Sequence, residues 1–245
     1  MKNDRILWQA LALLLAVFAV FELTPLDLFI QDRLYDFAAQ RWLVDSEDAG
    51  PRLAFYTGPK ALIILGGIAL IVVAAGPERW RQALHIPSPS RRNVAVAVLT
   101  LGSVPALIGQ LKAATNVFCP SEIRRYGGDV CFVRVLERFP ESDRPARRGR
   151  CFPAGHASGG FALIGLLGLA RTRCQRALAI SVSFGAGGAM GFYQMAKGAH
   201  YLSHTVITAI IAWIGFLLWR RVLRVEVNAS LFSSESRHAR AVAGR

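Results

Sequence analysis

Charge is what this chain has least of. Only 18% of its 245 residues are Asp, Glu, Lys or Arg, against about 25% in an ordinary soluble domain. Acids are scarcer still: 16 Asp and Glu stand against 29 Lys and Arg, a net charge of +13. Apolar residues make up 53%, mean hydropathy is +0.36, and they gather in long uncharged runs. Such runs exclude a disordered chain and argue against a soluble globular enzyme. No nucleic-acid reader motif accompanies the basic excess, so nucleic acid is not an expected partner. No internal repeat is visible. No small-residue cleavage site follows the first apolar run, which is too long for a signal peptide. An integral membrane protein is what remains.

A bilayer core of about 30 Å takes roughly 17–25 helical residues. Six runs qualify: 6–23, 56–76, 93–111, 153–170, 177–196 and 201–219. The expected fold is an all-α integral membrane bundle of six transmembrane helices over residues 1–224. Lys60, near the start of the second run, reads as a snorkelling interfacial lysine. Lys2, Arg5, Arg79, Arg81, Arg91, Arg92, Arg171, Arg173, Arg176 and the tail from Arg220 fall on one side. Lys and Arg collect in cytoplasmic loops, so both termini are expected inside. Loops 24–55 and 112–152 and the link at 197–200 then lie outside. The acids of 24–55 suit that side. The arginines of 112–152 do not, so their charge is read as having another task. Residues 225–245 are polar and basic and read as a disordered cytoplasmic tail near anionic lipid.

Three of the five histidines, His156, His200 and His204, fall within about one turn of the outer surface. Ionisable residues at span ends that face a bundle interior are functional candidates. The segment CFPAGHASGG (151–160) brings Pro153, Ala154 and Gly155 into a helix with His156 in its first turn. Free N–H groups at a helix start suit a phosphate, Gly155 lets the backbone approach it, and His156 can protonate a leaving oxygen. In KGAHYLSHT (197–205), His200 and His204 are four apart and share a helical face. In KAATNVFCP (112–120), Lys112 ends a span at the outer surface.

Together these segments resemble the type 2 phosphatidic acid phosphatase superfamily of membrane lipid phosphatases. The resemblance covers about residues 93–220. It implies a six-helix bundle with its site in an extracytoplasmic loop region, a phosphorylated lipid as substrate, and no metal or other cofactor. By position, Lys112 matches the phosphate-binding lysine and Pro120 the proline closing that segment. Pro153, Gly155 and His156 match the middle segment, with His156 as general acid. His200 matches the nucleophile that forms a phosphohistidine.

Four positions depart from the family pattern. Cys119 and Gln194 stand where the family has arginines, Ala154 where it has serine, and His204 where it has the acid orienting the nucleophile. The chain resembles a divergent branch of bacterial inner-membrane members with Cys-Pro and Pro-Ala-Gly-His forms. Lys197, Arg124, Arg125, Arg147, Arg148 and Arg150 are the available replacement cations. The expected phosphate-binding set is Lys112, Gly155, Lys197 and Gln194, with His204 orienting His200.

Cys119, Cys131 and Cys151 lie in the outer loop, where oxidation is permitted. Three pairings are open, and spacing does not decide between them. Cys119–Cys151 is favoured because it would clamp the lysine segment to the histidine segment. The resulting expectation is a phosphatase or phosphotransferase of the bacterial inner membrane, facing the periplasm. Undecaprenyl diphosphate, a lipid A phosphate and a phosphatidyl phosphate are the candidate substrates. A three-histidine metal site and a non-catalytic lipid-phosphate binder are the alternatives.

Overall fold

In a computed structural model, residues 2–77, 79 and 90–225 are described. The chain opens with α1 (Lys2–Leu23) and a short α2 (Leu26–Gln31). A two-stranded hairpin follows, β1 (Tyr35–Asp36) antiparallel to β2 (Arg41–Trp42). α3 (Ala49–Arg52) runs through a π-helical turn, Leu53–Thr57, into α4 (Gly58–Ala75). Then come α5 (Arg91–Ala114) and α6 (Gly155–Ala162), the latter tightening into a 3-10 stretch, Leu163–Gly168. α7 (Arg173–Ala196) and α8 (Leu202–Val222) complete the described elements. Arg81 and residues 226–245, and so nearly all of the expected tail, lie outside the described residues.

Long apolar runs become helices because a backbone away from water must satisfy its hydrogen bonds within its own segment. Among the described residues, four stretches are long and apolar enough to cross a membrane: Asp4–Leu23, Ala49–Ala75, Arg91–Ala114 and Leu202–Val222. The other two expected spans are helical but different in character. The 153–170 run holds only 8 α-helical and 6 3-10 residues, about 24 Å of rise against the roughly 30 Å of a hydrocarbon core. α7 has the length but buries Arg176, Ser183, Tyr193 and Gln194.

α6 is the hub, packed among α5, α7 and α8, while α1 lies along α8. Gly160 and Gly187 make the α6–α7 crossing possible. A Cβ on Gly160 would sit 2.5 Å from the Gly187 nitrogen, so only glycine admits this approach. The outward faces are apolar: Trp8, Leu15, Leu62, Leu65, Leu178 and Phe192 are all exposed. Bare apolar helix faces of this extent are wetted by lipid.

The ion pair between Asp4 and Arg221 marks one end of the bundle. The other end is capped by the two long connections. The rings of Tyr35, Trp42 and Tyr126 meet at 57–62°, with centroids 4.8–5.2 Å apart, over Phe118, Ile123 and Val130. The cap is therefore a small core of its own.

Candidate active site

The cap binds the three chemistry-bearing segments together. Cys151 N–H donates to the Val117 carbonyl at 2.8 Å, and the Thr115 hydroxyl donates to the Phe152 carbonyl at 2.6 Å. A disulfide joins Cys119 to Cys151, with Cα atoms 5.2 Å apart. These contacts tie the lysine segment to the start of α6. Ala154 N–H in turn donates to Thr208 Oγ1 at 3.0 Å, and the Thr208 hydroxyl donates to the His204 carbonyl at 2.7 Å. The start of α6 is thus pinned to α8. Gly198 shapes the turn before His200. Its φ is +75°, and any Cβ there would overlap the Trp42 indole, so both backbone and space demand glycine.

The three histidines form a chain. His156 Nδ1 lies 3.1 Å from His200 Nε2, and His200 Nδ1 lies 3.4 Å from His204 Nδ1. Only one set of tautomers leaves His200 Nε2 as a lone pair. His200 carries its proton on Nδ1 and donates to His204, while His156 donates from Nδ1 to His200. The reverse set puts a proton on His200 Nε2 and blocks attack from it. His200 is 1% exposed. Burial, with His204, His156 and Lys112 nearby, holds its pKa well below the usual 6.5, so the ring stays neutral at physiological pH.

His156 separates His200 from a cavity of about 430 Å³ between α4, α5 and α6. Lys112, Gly155 and His156 form its polar floor, with Tyr56 and Lys60 beside them; Ile63, Ile64 and Leu101 make an apolar wall. A Cβ on Gly155 would lie 3.3 Å from Lys112 Cδ and 3.7 Å from Nζ. The ammonium therefore sits over the first turn of α6, where free N–H groups already favour an anion. The Tyr56 ring stands edge-on to His156, centroids 4.8 Å apart.

The loop arginines are spent elsewhere. Arg124 pairs with Asp143, Arg125 with Asp32 at 2.7 Å, and Arg147 with Glu122 at 2.5 Å and Asp129 at 3.1 Å. Arg148 donates to the Ala114 carbonyl, and Arg150 is exposed. Among the described residues no arginine lines the His156 cavity. Of the available replacement cations, Arg124, Arg125 and Arg147 are therefore paired with carboxylates in the cap. Lys197 stacks 5.1 Å over the Tyr193 ring, and burial lowers its pKa. Gln194 is buried with neither end of its amide hydrogen-bonded, an arrangement that favours an incoming donor or acceptor.

The ring chain does not converge on one metal ion, because His200 meets its two neighbours through different nitrogens. Cys119, Cys151 and His200 bring ligand-type atoms within 4.8 Å of one another. Disulfide sulfurs, however, are not the thiolates that bind metals.

Sequence reasoning missed Tyr56, Lys60, Thr208 and Asp27. Asp27 on α2 caps α8 from outside the helix. It accepts from Ser203 N at 2.9 Å and from Ser203 Oγ at 2.5 Å. Thr208 had a signal, lying one turn beyond His204 on the same face. The other three lie in distant segments, and nothing in their spacing ties them to the motifs.

A helical membrane bundle with lysine, Gly-His and His segments gathered at one end defines a class of membrane phosphoryl-transfer proteins. The family model of the PAP2 superfamily matches residues 93–227, more than half of the chain, and the protein belongs to that superfamily. Membership carries phosphatase or phosphotransferase chemistry on a phosphorylated substrate. No curated protein and no solved structure matches the chain.

Proposed function

We propose that this protein removes or transfers a phosphoryl group of a membrane lipid through a phosphohistidine on His200, without a metal. The observation that carries the reading is the histidine chain opening on a cavity with Lys112 over the start of α6. The phosphate enters the cavity and displaces His156 from His200 Nε2. Lys112, the α6 N–H groups, Lys197 and Gln194 hold its oxygens, and charge stabilisation and positioning supply most of the catalysis. His156 takes the proton of the entering phosphate monoanion and delivers it to the lipid oxygen as His200 Nε2 forms its bond to phosphorus and the bond to that oxygen breaks. His204 accepts the Nδ1 proton of His200 and fixes its tautomer. Water, or a second lipid acceptor, then attacks phosphorus, loses its proton to His156 and frees His200.

The apolar wall of the cavity and the lipid-facing surface of α4 support a lipid substrate. A phosphatidyl phosphate, a lipid A phosphate and undecaprenyl diphosphate are the forms to test. With both termini cytoplasmic, the site faces the periplasm of the bacterial inner membrane. A second assignment is favoured by one observation: His156, not His200, lines the cavity. In that assignment His156 attacks, and His200 and His204 orient it.

Purified full-length protein should release phosphate from at least one of these lipids with EDTA present. His200→Ala should lose activity by about 10³-fold or more. Acid-labile label trapped from radiolabelled substrate should map to His200; label on His156 would select the second assignment. Absence of release from every lipid would overturn the reading, and release that requires a divalent metal would restore the metal alternative.

A further inference from the structure

The chain has 29 basic residues, but only four of them are lysine. Three of those four surround His156. Lys112 and Lys60 line its cavity, and the ammoniums of Lys112, Lys197 and Lys60 all act electrostatically on its ring. Lys60 comes from α4, outside residues 93–227. Its Nζ stands 5.7 Å over the Tyr56 ring, and Tyr56 in turn touches His156. Among the described residues no carboxylate pairs with Lys60, whereas Arg124, Arg125 and Arg147 each hold one.

Lys60 is exposed near the start of an otherwise uncharged helix, where a cation is available to an anion. At a membrane surface it can instead reach water with its head. Here Lys60 lines a cavity that Lys112 and the start of α6 also line. We propose that Lys60 is a phosphate-binding residue, supplying from α4 a cation that the arginine-bearing family positions, now Cys119 and Gln194, no longer provide. Its ligand is a phosphate oxygen, carried by a lipid headgroup or by free phosphate. The inference deepens the proposed function and rests on it for the identity of the substrate, but not for the anion site itself.

Two measurements on full-length protein in detergent separate the two ideas. The first is direct calorimetric titration with inorganic phosphate, which needs no turnover. Lys60→Met should weaken phosphate binding about tenfold, the size of one lost charge-assisted contact. Lys60→Arg should keep it within about threefold. Arg138→Gln, an exposed cation of the outer loop, should leave it unchanged. The second is steady-state hydrolysis of a short-chain phosphatidic acid in mixed micelles. Lys60→Met should raise KM and the inhibition constant of inorganic phosphate together.

Unchanged phosphate binding in Lys60→Met would overturn the assignment, whatever happens to KM. So would an equal loss in Arg138→Gln, since that reports net charge alone. A wild type that binds phosphate through Lys60 but hydrolyses no lipid would keep the anion site and sink the lipid phosphatase reading instead. Should Lys60→Met not be recovered from the membrane, Lys60→Gln carries the same expectations.

Discussion

α4 and α6 face each other across the same cavity, yet they are made of opposite materials. α4 buries no residue and turns Leu62, Leu65 and Ile68 outward. α6 buries Ala157, Ser158, Gly160, Phe161 and Ala162, five of its eight residues. One is a wall wetted by lipid, and the other is a hub fixed by three neighbours. A group on the hub gains rigid placement from packing, as His156 does. A group on the wall gains reach, as Lys60 does, without the hub's small-residue pattern around it.

That contrast is broken most sharply at His156. His156→Ala should lower kcat by about 10²–10⁴-fold, the usual worth of a positioned general acid. The loss should be greatest for lipids with poor leaving groups, and the contribution of Lys112 to KM should remain. Steady-state kinetics on two leaving groups differing in pKa checks this. Equal losses on both would remove the acid role.

Packing gives the next effect. Gly160→Val on the hub should destabilise the protein by about 1–3 kcal/mol, because the new side chain meets the α7 backbone. Gly66→Val on the wall should stay within about 0.5 kcal/mol, since nothing lies within 4 Å of a Cβ there. Thermal melting of both variants in the same detergent tests the pair. A Gly66 variant as unstable as the Gly160 one would mean that α4 packs against another surface.

The same contrast explains what the sequence revealed. The gathering of His156, His200 and Lys112 at one end of the bundle was legible because each sits inside a short segment with fixed local spacing. The Cys119–Cys151 pair could be favoured because both cysteines flank those segments. The helices of α1, α4, α5 and α8 were legible from uninterrupted apolar runs. The 3-10 stretch after α6 ends at Gly168, and Gly165 and Gly168 hold it close against α5, a tertiary contact invisible in hydropathy. The ion pairs of Arg124, Arg125 and Arg147 were illegible for a related reason. Their partners Asp143, Asp32, Glu122 and Asp129 are set by the folding of the cap. Tyr56, Lys60 and Asp27 reach the site only through the packing of the first two helical segments onto the rest.

Asp27 supplies the smallest effect and the most specific signature. Its carboxylate caps α8 through Ser203, one residue before His204. Burial is the largest influence on it and raises its pKa to about 6, against the pull of the Ser203 hydrogen bonds and Arg134. A raised folded-state pKa means that the folded protein holds this proton more tightly than the unfolded chain does. The associated stability is fully present below about pH 4 and is lost as pH rises through about 6. Asp27→Asn cannot titrate but keeps one acceptor for the cap. The stability advantage of wild type over Asp27→Asn should therefore be largest near pH 4 and fall by on the order of 1 kcal/mol by pH 7. Melting temperatures of the two proteins from pH 4 to 7 test this directly. A difference that does not change with pH would mean that Asp27 is already ionised throughout, and that the cap is a solvated surface contact rather than a buried link between the N-terminal segment and the histidine helix.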